Sequence, residues 1–426
     1  MAEIQPLEAL HYDLAKVGDL ANVVAPPYDV IDVAQRAELA SRSPYNVVAV
    51  DLPHAEADRD AYEAARDLFA SWQQDGAVVR DAEPTIWAHE QDYTGPDGVS
   101  RTRRGFFCRV RIEEYGPGRV RPHERTHPGP KEDRLRLTRA TRSNMSPIFS
   151  LFSDPTQAAW QAIEPHVMEE PWGQARDAEG TEHRLWQIGQ PEVIEAVRRA
   201  ASGSEVLIAD GHHRYETAQA YAAEMNGAGA GPHAHDYVLM CLVALEDSGL
   251  TVFPTHRLVA GLDAERRQAL AAVIERDFDA REVSMEELAE LSDAQPSGPF
   301  AVGFLERGAN PRWLTLRNQG IADAALSGRS EAYRHLDTGV LEALILQGVL
   351  GLSEDDISHL NDFGYARRPE EAGRLVDQGT FDIAFIMRPT PVGQVKEVAA
   401  SGENMPPKST FFYPKLLTGL LFNPLY

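Results

Sequence analysis

Two things are scarce in this chain of 426 residues. It has only two cysteines, and its 41 lysines and arginines face 65 aspartates and glutamates. Cys108 and Cys241 lie in apolar, strand-like surroundings and match no metal or redox spacing, which excludes a disulfide-stapled scaffold. The net charge of −24 would repel nucleic acid and anionic lipid, so neither is an expected partner. No apolar run approaches membrane-spanning length, and the opening MAEIQPLEAL lacks a basic region followed by an apolar stretch; a cytoplasmic protein is expected. Residues 123–127 read HERTH, the letters of a zinc-protease HExxH box, but the prolines and glycine that follow make this stretch a loop rather than the helix that would set both histidines on one face, so no metal-ligand set is expected. There is no repeat period and no low-complexity tract.

What remains is ordinary for a globular protein: 43% hydrophobic and 25% charged residues, in a chain too long for one core. The pattern predicts an α+β fold in three parts: an α/β segment over 1–84, a core over 85–260, and an α/β half with a docked tail over 261–426. A short strand is expected before Pro26-Pro27, another over Asn46–Asp51, and a helix over 55–75. Thr85–Glu90 and Arg104–Arg111, flanking Gly95-Pro96-Asp97-Gly98, predict a hairpin.

The stretch from Val206 to Ala218, VLIADGHHRYETA, organises the rest. Four apolar residues make a buried strand, Gly211 turns the corner, and alanine-rich sequence to Met225 makes a helix. Unpaired N–H groups at such a helix start, with the dipole behind them, favour an anion. Arg214 offers a planar fork for phosphate oxygens, and His212 and His213 add donors. Asp210 is placed to cap the helix, to act as a base or to orient a metal.

Further candidates surround this corner. Between Arg101 and Arg142 there are thirteen lysines and arginines against five acids, an excess of eight positive charges in an acidic protein. Within it, His123 and Glu124 form a loop His-Glu pair suited to general-base work, and Lys131 and Arg134 can meet phosphates. His256-Arg257 directly after a strand is a second anion candidate. Tyr28 and Asp29, after the double proline, can point into a site. In the tail, Lys408, Ser409 and Lys415 stand among aromatics and prolines, as a segment folded back over a ligand would. Each has a bland alternative: loop acids are solvated, arginines pair with acids, and tail aromatics simply pack.

Five ordered stretches, APPYDVI, PHERTHPGPKEDRL, ADGHHRYETA, FPTHRLV and MPPKSTFFYPK, resemble the bacterial and archaeal family called domain of unknown function 1015. More narrowly, IADGHHRYETA is similar to the phosphate-holding corner of the ParB/sulfiredoxin-like superfamily. That resemblance implies a mixed α/β nucleotide-binding core over 85–260, with Gly211, His213 and Arg214 at the phosphates and ATP or ADP with magnesium as cofactors. The sulfiredoxin cysteine position is held by His212, so that chemistry is not implied. Together these readings predict a nucleotide-dependent kinase of a small polar metabolite with an alcohol group, serine first, using Asp210 and Glu124 catalytically. The alternatives are a non-catalytic nucleotide-binding regulatory module and a hydrolase of a phosphorylated metabolite.

Overall fold

The computed structural model describes residues 2–54, 59–115, 119–124, 128–225 and 232–426. The chain forms two compact units: Met1–Pro122, Thr126–Leu250 and Pro414–Tyr426 make unit 1, and His123–Arg125 with Thr251–Tyr413 make unit 2. This differs from the three segments expected above. Residues 1–84 and the last stretch of the tail belong with the central region in one unit.

Unit 1 is built on a nine-stranded mixed sheet. Its strands are β1 Ile4–Gln5, β2 Ile86–Thr94, β3 Ser100–Arg111, β4 Val120–Arg121, β5 Ile148–Phe152, β6 Gly173–Arg176, β7 Glu182–Ile188, β8 Val206–Asp210 and β9 Tyr237–Ala244. They run in the order β4–β8–β5–β9–β3–β2–β7–β6, with β1 beside β3. β4/β8 and β5/β9 are parallel pairs and the rest are antiparallel. The β2–β3 hairpin closes where the Gly95 N–H bonds the Val99 carbonyl, and the Asp97 carboxylate takes the Val99 N–H. Alternation then sorts the side chains. Ala88, Phe106, Cys108, Trp186 and Met240 join one apolar cluster with Val193 and Val197 of helix Pro191–Ser202 and Tyr215 of helix His212–Met225. The opposite parity carries buried polar groups, His89, Gln91, Arg103 and His183.

Two expected strands are absent. Val48–Asp51 is a short helix rather than part of a strand. Asn46 overrides the β-branched run: its Oδ1 accepts the Val48 N–H at 3.0 Å, while its Nδ2 donates to the Asn22 and Val24 carbonyls. Before the double proline, Leu20–Asn22 is a 3₁₀ turn capped by Asp19, and Ala25 makes only an isolated bridge to Thr418. The end of the chain is structural in unit 1. Leu416, Leu417, Leu420, Leu421 and Phe422 are buried, and Asn423–Pro424 pairs with Ser143–Asn144.

Unit 2 carries a six-stranded, wholly antiparallel sheet. It is formed by β10 His256–Val259, β11 Phe278–Glu282, β12 Ala301–Glu306, β13 Arg312–Leu316, β14 Phe363–Ala366 and β15 Ile383–Ile386, in the order β11–β13–β12–β15–β10–β14. Leu258, Leu305, Trp313, Val376 and Ile386 centre its core. A separate ladder joins Thr251–Phe253 to Phe411–Tyr413. Among the described residues no helix is long and apolar enough to cross a membrane.

Candidate functional site

The corner at the end of β8 owes its shape to two backbone features. The β8–β5 register shifts between Ile208 and Asp210, which re-aims Asp210 relative to a regular strand. Gly211 then has φ +101°, open to glycine and hostile to other residues. A Cβ at Gly211 would stand 2.9 Å from Arg214 Nε, so the missing side chain also makes room for the guanidinium. Helix His212–Met225 starts immediately after, with the Tyr215 N–H on the Gly211 carbonyl at 3.0 Å.

Cations hold both oxygens of Asp210. Arg214 Nη2 donates to Oδ2 at 2.7 Å and Lys415 Nζ donates to Oδ1 at 2.5 Å. Burial works against the Asp210 charge, but Lys415 and Arg214 outweigh it and hold the carboxyl well below the usual carboxylate range. Arg214 also donates through Nη1 to the Pro147 carbonyl, and its buried Nε has no hydrogen-bond partner among the described residues. A carboxylate so acidic is a poor proton acceptor near neutral pH and a good orienter of cations.

Beside the corner lies a cavity of about 40 Å³ lined by Asp51, Arg134, Thr138, Ser146, Arg214 and Thr217, among others. Space on this scale takes a few waters, whereas ligand pockets run from about 300 Å³ upward, so a nucleoside would have to lie outside it. Arg134 is buried, pairs with Asp51 at 2.9 Å and Asp133 at 2.6 Å, and lies 4.3 Å from the Tyr28 ring centroid. Burial pushes the Asp51 carboxyl up, against the pull of Arg134 and Arg214. Burial likewise raises Tyr28, which feels the same two guanidinium groups. Lys131 pairs with Glu216 at 2.8 Å. Asp210, Gly211, Arg214, Tyr28, Arg134 and Lys415 therefore gather in unit 1. His212 is buried at the helix start with His213 following it, and Asp29 is exposed in the turn Tyr28–Val30.

The remaining candidates belong to unit 2. His123 is buried, with Nε2 2.8 Å from Thr410 Oγ1 and 3.8 Å from Glu124 Oε1. Residues 125–127 of the HERTH stretch lie outside the described residues. His256 is buried in β10; its Nδ1 accepts the Met387 N–H at 3.1 Å, and burial lowers the ring to about 3, so it is neutral. Arg257 donates to the Thr255 and Pro407 carbonyls, 3.0 Å for the latter, and its burial lowers the guanidinium against the pull of Tyr365, Glu342 and Glu124. Ser409 is buried, donates to the Pro406 carbonyl at 2.6 Å and shares a hydrogen bond with Thr338. Lys408 is exposed at φ +56°.

The model of the family described as "Protein of unknown function (DUF1015)" matches residues 4–339. The chain belongs to this family. No curated protein matches it. Among solved structures, a conserved hypothetical protein from Pyrococcus furiosus is 15% identical, with 72% of this chain and 94% of that one covered at a TM-score of 0.35. A free serine kinase variant in complex with ADP is 13% identical, with 69% and 84% covered at 0.35. SbnI from Staphylococcus aureus, C-terminally truncated, is 11% identical, with 73% and 85% covered at 0.36. These likenesses are weak.

In this family member three polar residues near the corner escaped sequence reasoning. Asp51 closes the apolar run VAVD, where a buried carboxylate calls for a cation. Gln91 and Arg103 face each other across the hairpin. Arg103 shares the parity of Gly105 and buried Phe107, which was the available signal that it points inward.

Proposed function

We propose that unit 1 binds the phosphates of a nucleotide at the corner 210–214, and that the protein is a nucleotide-dependent phosphotransferase acting on a small polar metabolite. One observation carries this reading: two cations, Arg214 and Lys415, share a single carboxylate at the start of a 14-residue helix, beside a glycine that lets the backbone come close. That arrangement has surplus positive charge where an anion would sit. Gly211, His213 and Arg214 then hold phosphate oxygens, Lys415 neutralises charge developing on the transferred phosphoryl group, and Asp210 orients both cations. The acceptor hydroxyl forms the new P–O bond, the bond to the nucleotide leaving oxygen breaks, and the acceptor proton passes to solvent. The ParB/sulfiredoxin-like reading of this core rests on the resemblance of the same corner, as does serine as the first acceptor to try.

Magnesium fits this arrangement poorly. Both Asp210 oxygens are engaged by cations, and a magnesium ion there would compete with Arg214 and Lys415 for them. That engagement also favours a second reading, a nucleotide-binding regulatory module without chemistry. Calorimetric titration of ATP, ADP, CTP and GTP into wild type and Arg214→Ala tests the shared claim: saturable binding lost in the variant supports it, and no binding by any nucleotide overturns it. Asp210→Asn then separates the two readings. A transferase loses turnover, followed by phosphorus NMR with serine, while a sensor still binds.

A further inference from the structure

Arg103 is 1% exposed, yet no carboxylate pairs with it among the described residues. Burial lowers its guanidinium to about 10, so it is still charged at neutral pH. Keeping a charge in such a place is costly, and an apolar side chain of similar volume would pack there without the penalty. Its hydrogen bonds indicate what the charge does. Nε donates to Gln91 Oε1 at 3.0 Å, Nη2 donates to Gln91 and, at 2.6 Å, to the Pro414 carbonyl, and the ring of Phe149 lies 4.3 Å from its Cζ. Gln91 passes the contact along, donating from Nε2 to the Lys415 carbonyl at 3.2 Å. Two consecutive carbonyls of the tail are thus pinned from the polar side of the sheet.

Gln91 is itself braced. It faces His183 in the register of β2 and β7, and His183 lies 3.3 Å from His89 Nε2 and 3.2 Å from Asp177. A side-chain amide held this way has one orientation in which its oxygen meets Arg103 and its nitrogen meets the tail.

We infer that Arg103 is a positioning residue: with Gln91 it fixes the backbone at Pro414–Lys415 so that the Lys415 ammonium stands on Asp210. Its relevance to ligand binding rests on the phosphate reading of the corner; the positioning does not. Without the pin, Lys415 has four rotatable side-chain bonds and a mobile backbone beneath them. With it, the ammonium is held ready beside the helix start before any ligand arrives, and no ordering of the tail is needed on binding.

The test uses the full-length protein, Arg103→Met, Arg103→Lys, Lys415→Met and the double variant Arg103→Met/Lys415→Met. Competitive amine labelling read by mass spectrometry reports Lys415 directly. Positioning predicts about a tenfold rise in Lys415 labelling in Arg103→Met, the scale of one lost charge-assisted hydrogen bond, with other lysines unchanged. Arg103→Lys keeps a charge without the fork and should show the same rise, which keeps the test decisive where Arg103→Met folds poorly. Unchanged labelling of Lys415 in a folded Arg103 variant overturns the inference. Calorimetry with ADP and pyrophosphate forms the second arm: Arg103→Met and Lys415→Met should lose affinity alike, and the double variant no further. Additive losses overturn positioning through Lys415. Failure of wild type to bind either ligand sinks the phosphate reading and leaves the labelling result to decide this one.

Discussion

Lys415 Nζ lies 2.5 Å from Asp210 Oδ1 although 205 residues separate the two in the chain. Arg214, four residues on, takes the other oxygen. A local ion pair and a long-range one therefore meet on a single carboxylate. Its depressed pKa makes the ionised form part of what holds unit 1 together.

Asp210→Asn should therefore destabilise the protein by about 2 kcal/mol at pH 7, because it leaves two cations facing each other with no anion. The sign follows from the depressed folded-state value. The contribution is fully present above the unfolded carboxyl range, about 3.9, and fades as pH falls through the folded value. Urea denaturation of wild type and variant at pH 7 and near pH 3 should show the gap narrowing in acid.

Gly211→Ala should cost about 1–3 kcal/mol, since alanine resists φ +101° and its Cβ would press on Arg214 Nε at 2.9 Å. Differential scanning fluorimetry should show a drop of several degrees. Phosphate-ligand affinity should fall with it, because Arg214 is the group displaced. An unchanged melting temperature would contradict the geometry.

The buried histidines predict a loss of stability on the acid side of neutrality. Burial holds His89 and His183 below their ordinary range and His256 at about 3, so the unfolded chain binds protons that the folded chain refuses. Their contribution is complete above about pH 6.5 and is lost as pH falls, at roughly 1 kcal/mol per pH unit for each group. Denaturation curves between pH 7 and 5 measure the slope. His256→Gln should flatten it.

Cys108 and Cys241 should resist thiol reagents in the folded protein. Both are fully buried; burial raises Cys108 well above its usual range and Cys241 to about 12, leaving almost no thiolate. Modification by a disulfide exchange reagent should become measurable only in denaturant, at a rate that follows unfolding. Fast labelling under native conditions would contradict this burial.

Where apolar periodicity and turn chemistry agreed, the sequence was readable: the β2–β3 hairpin lies where alternation placed it, and DGHHR forms a strand-to-helix corner. It misled where one polar side chain rewrote the backbone, as Asn46 does ahead of Val48–Asp51. The ion pairs were harder still. Lys131 and Arg134 look like free phosphate ligands in sequence, yet each finds a carboxylate, Glu216 or Asp51, that only the tertiary fold brings to it. His256-Arg257, adjacent in a strand, point to opposite faces, and neither lies in the unit that holds Asp210.

The buried residues at 416–422 have a consequence for biosynthesis. Unit 1 lacks part of its hydrophobic interior, and Asp210 lacks its second cation, until positions 414–426 have been translated. On the ribosome the first 250 residues can therefore collapse and pair strands but cannot close their interior before positions 414–426 have emerged. A stop codon before position 414 would leave a long polypeptide exposing the apolar surface that residues 416–422 cover, an immediate substrate for chaperones and proteases.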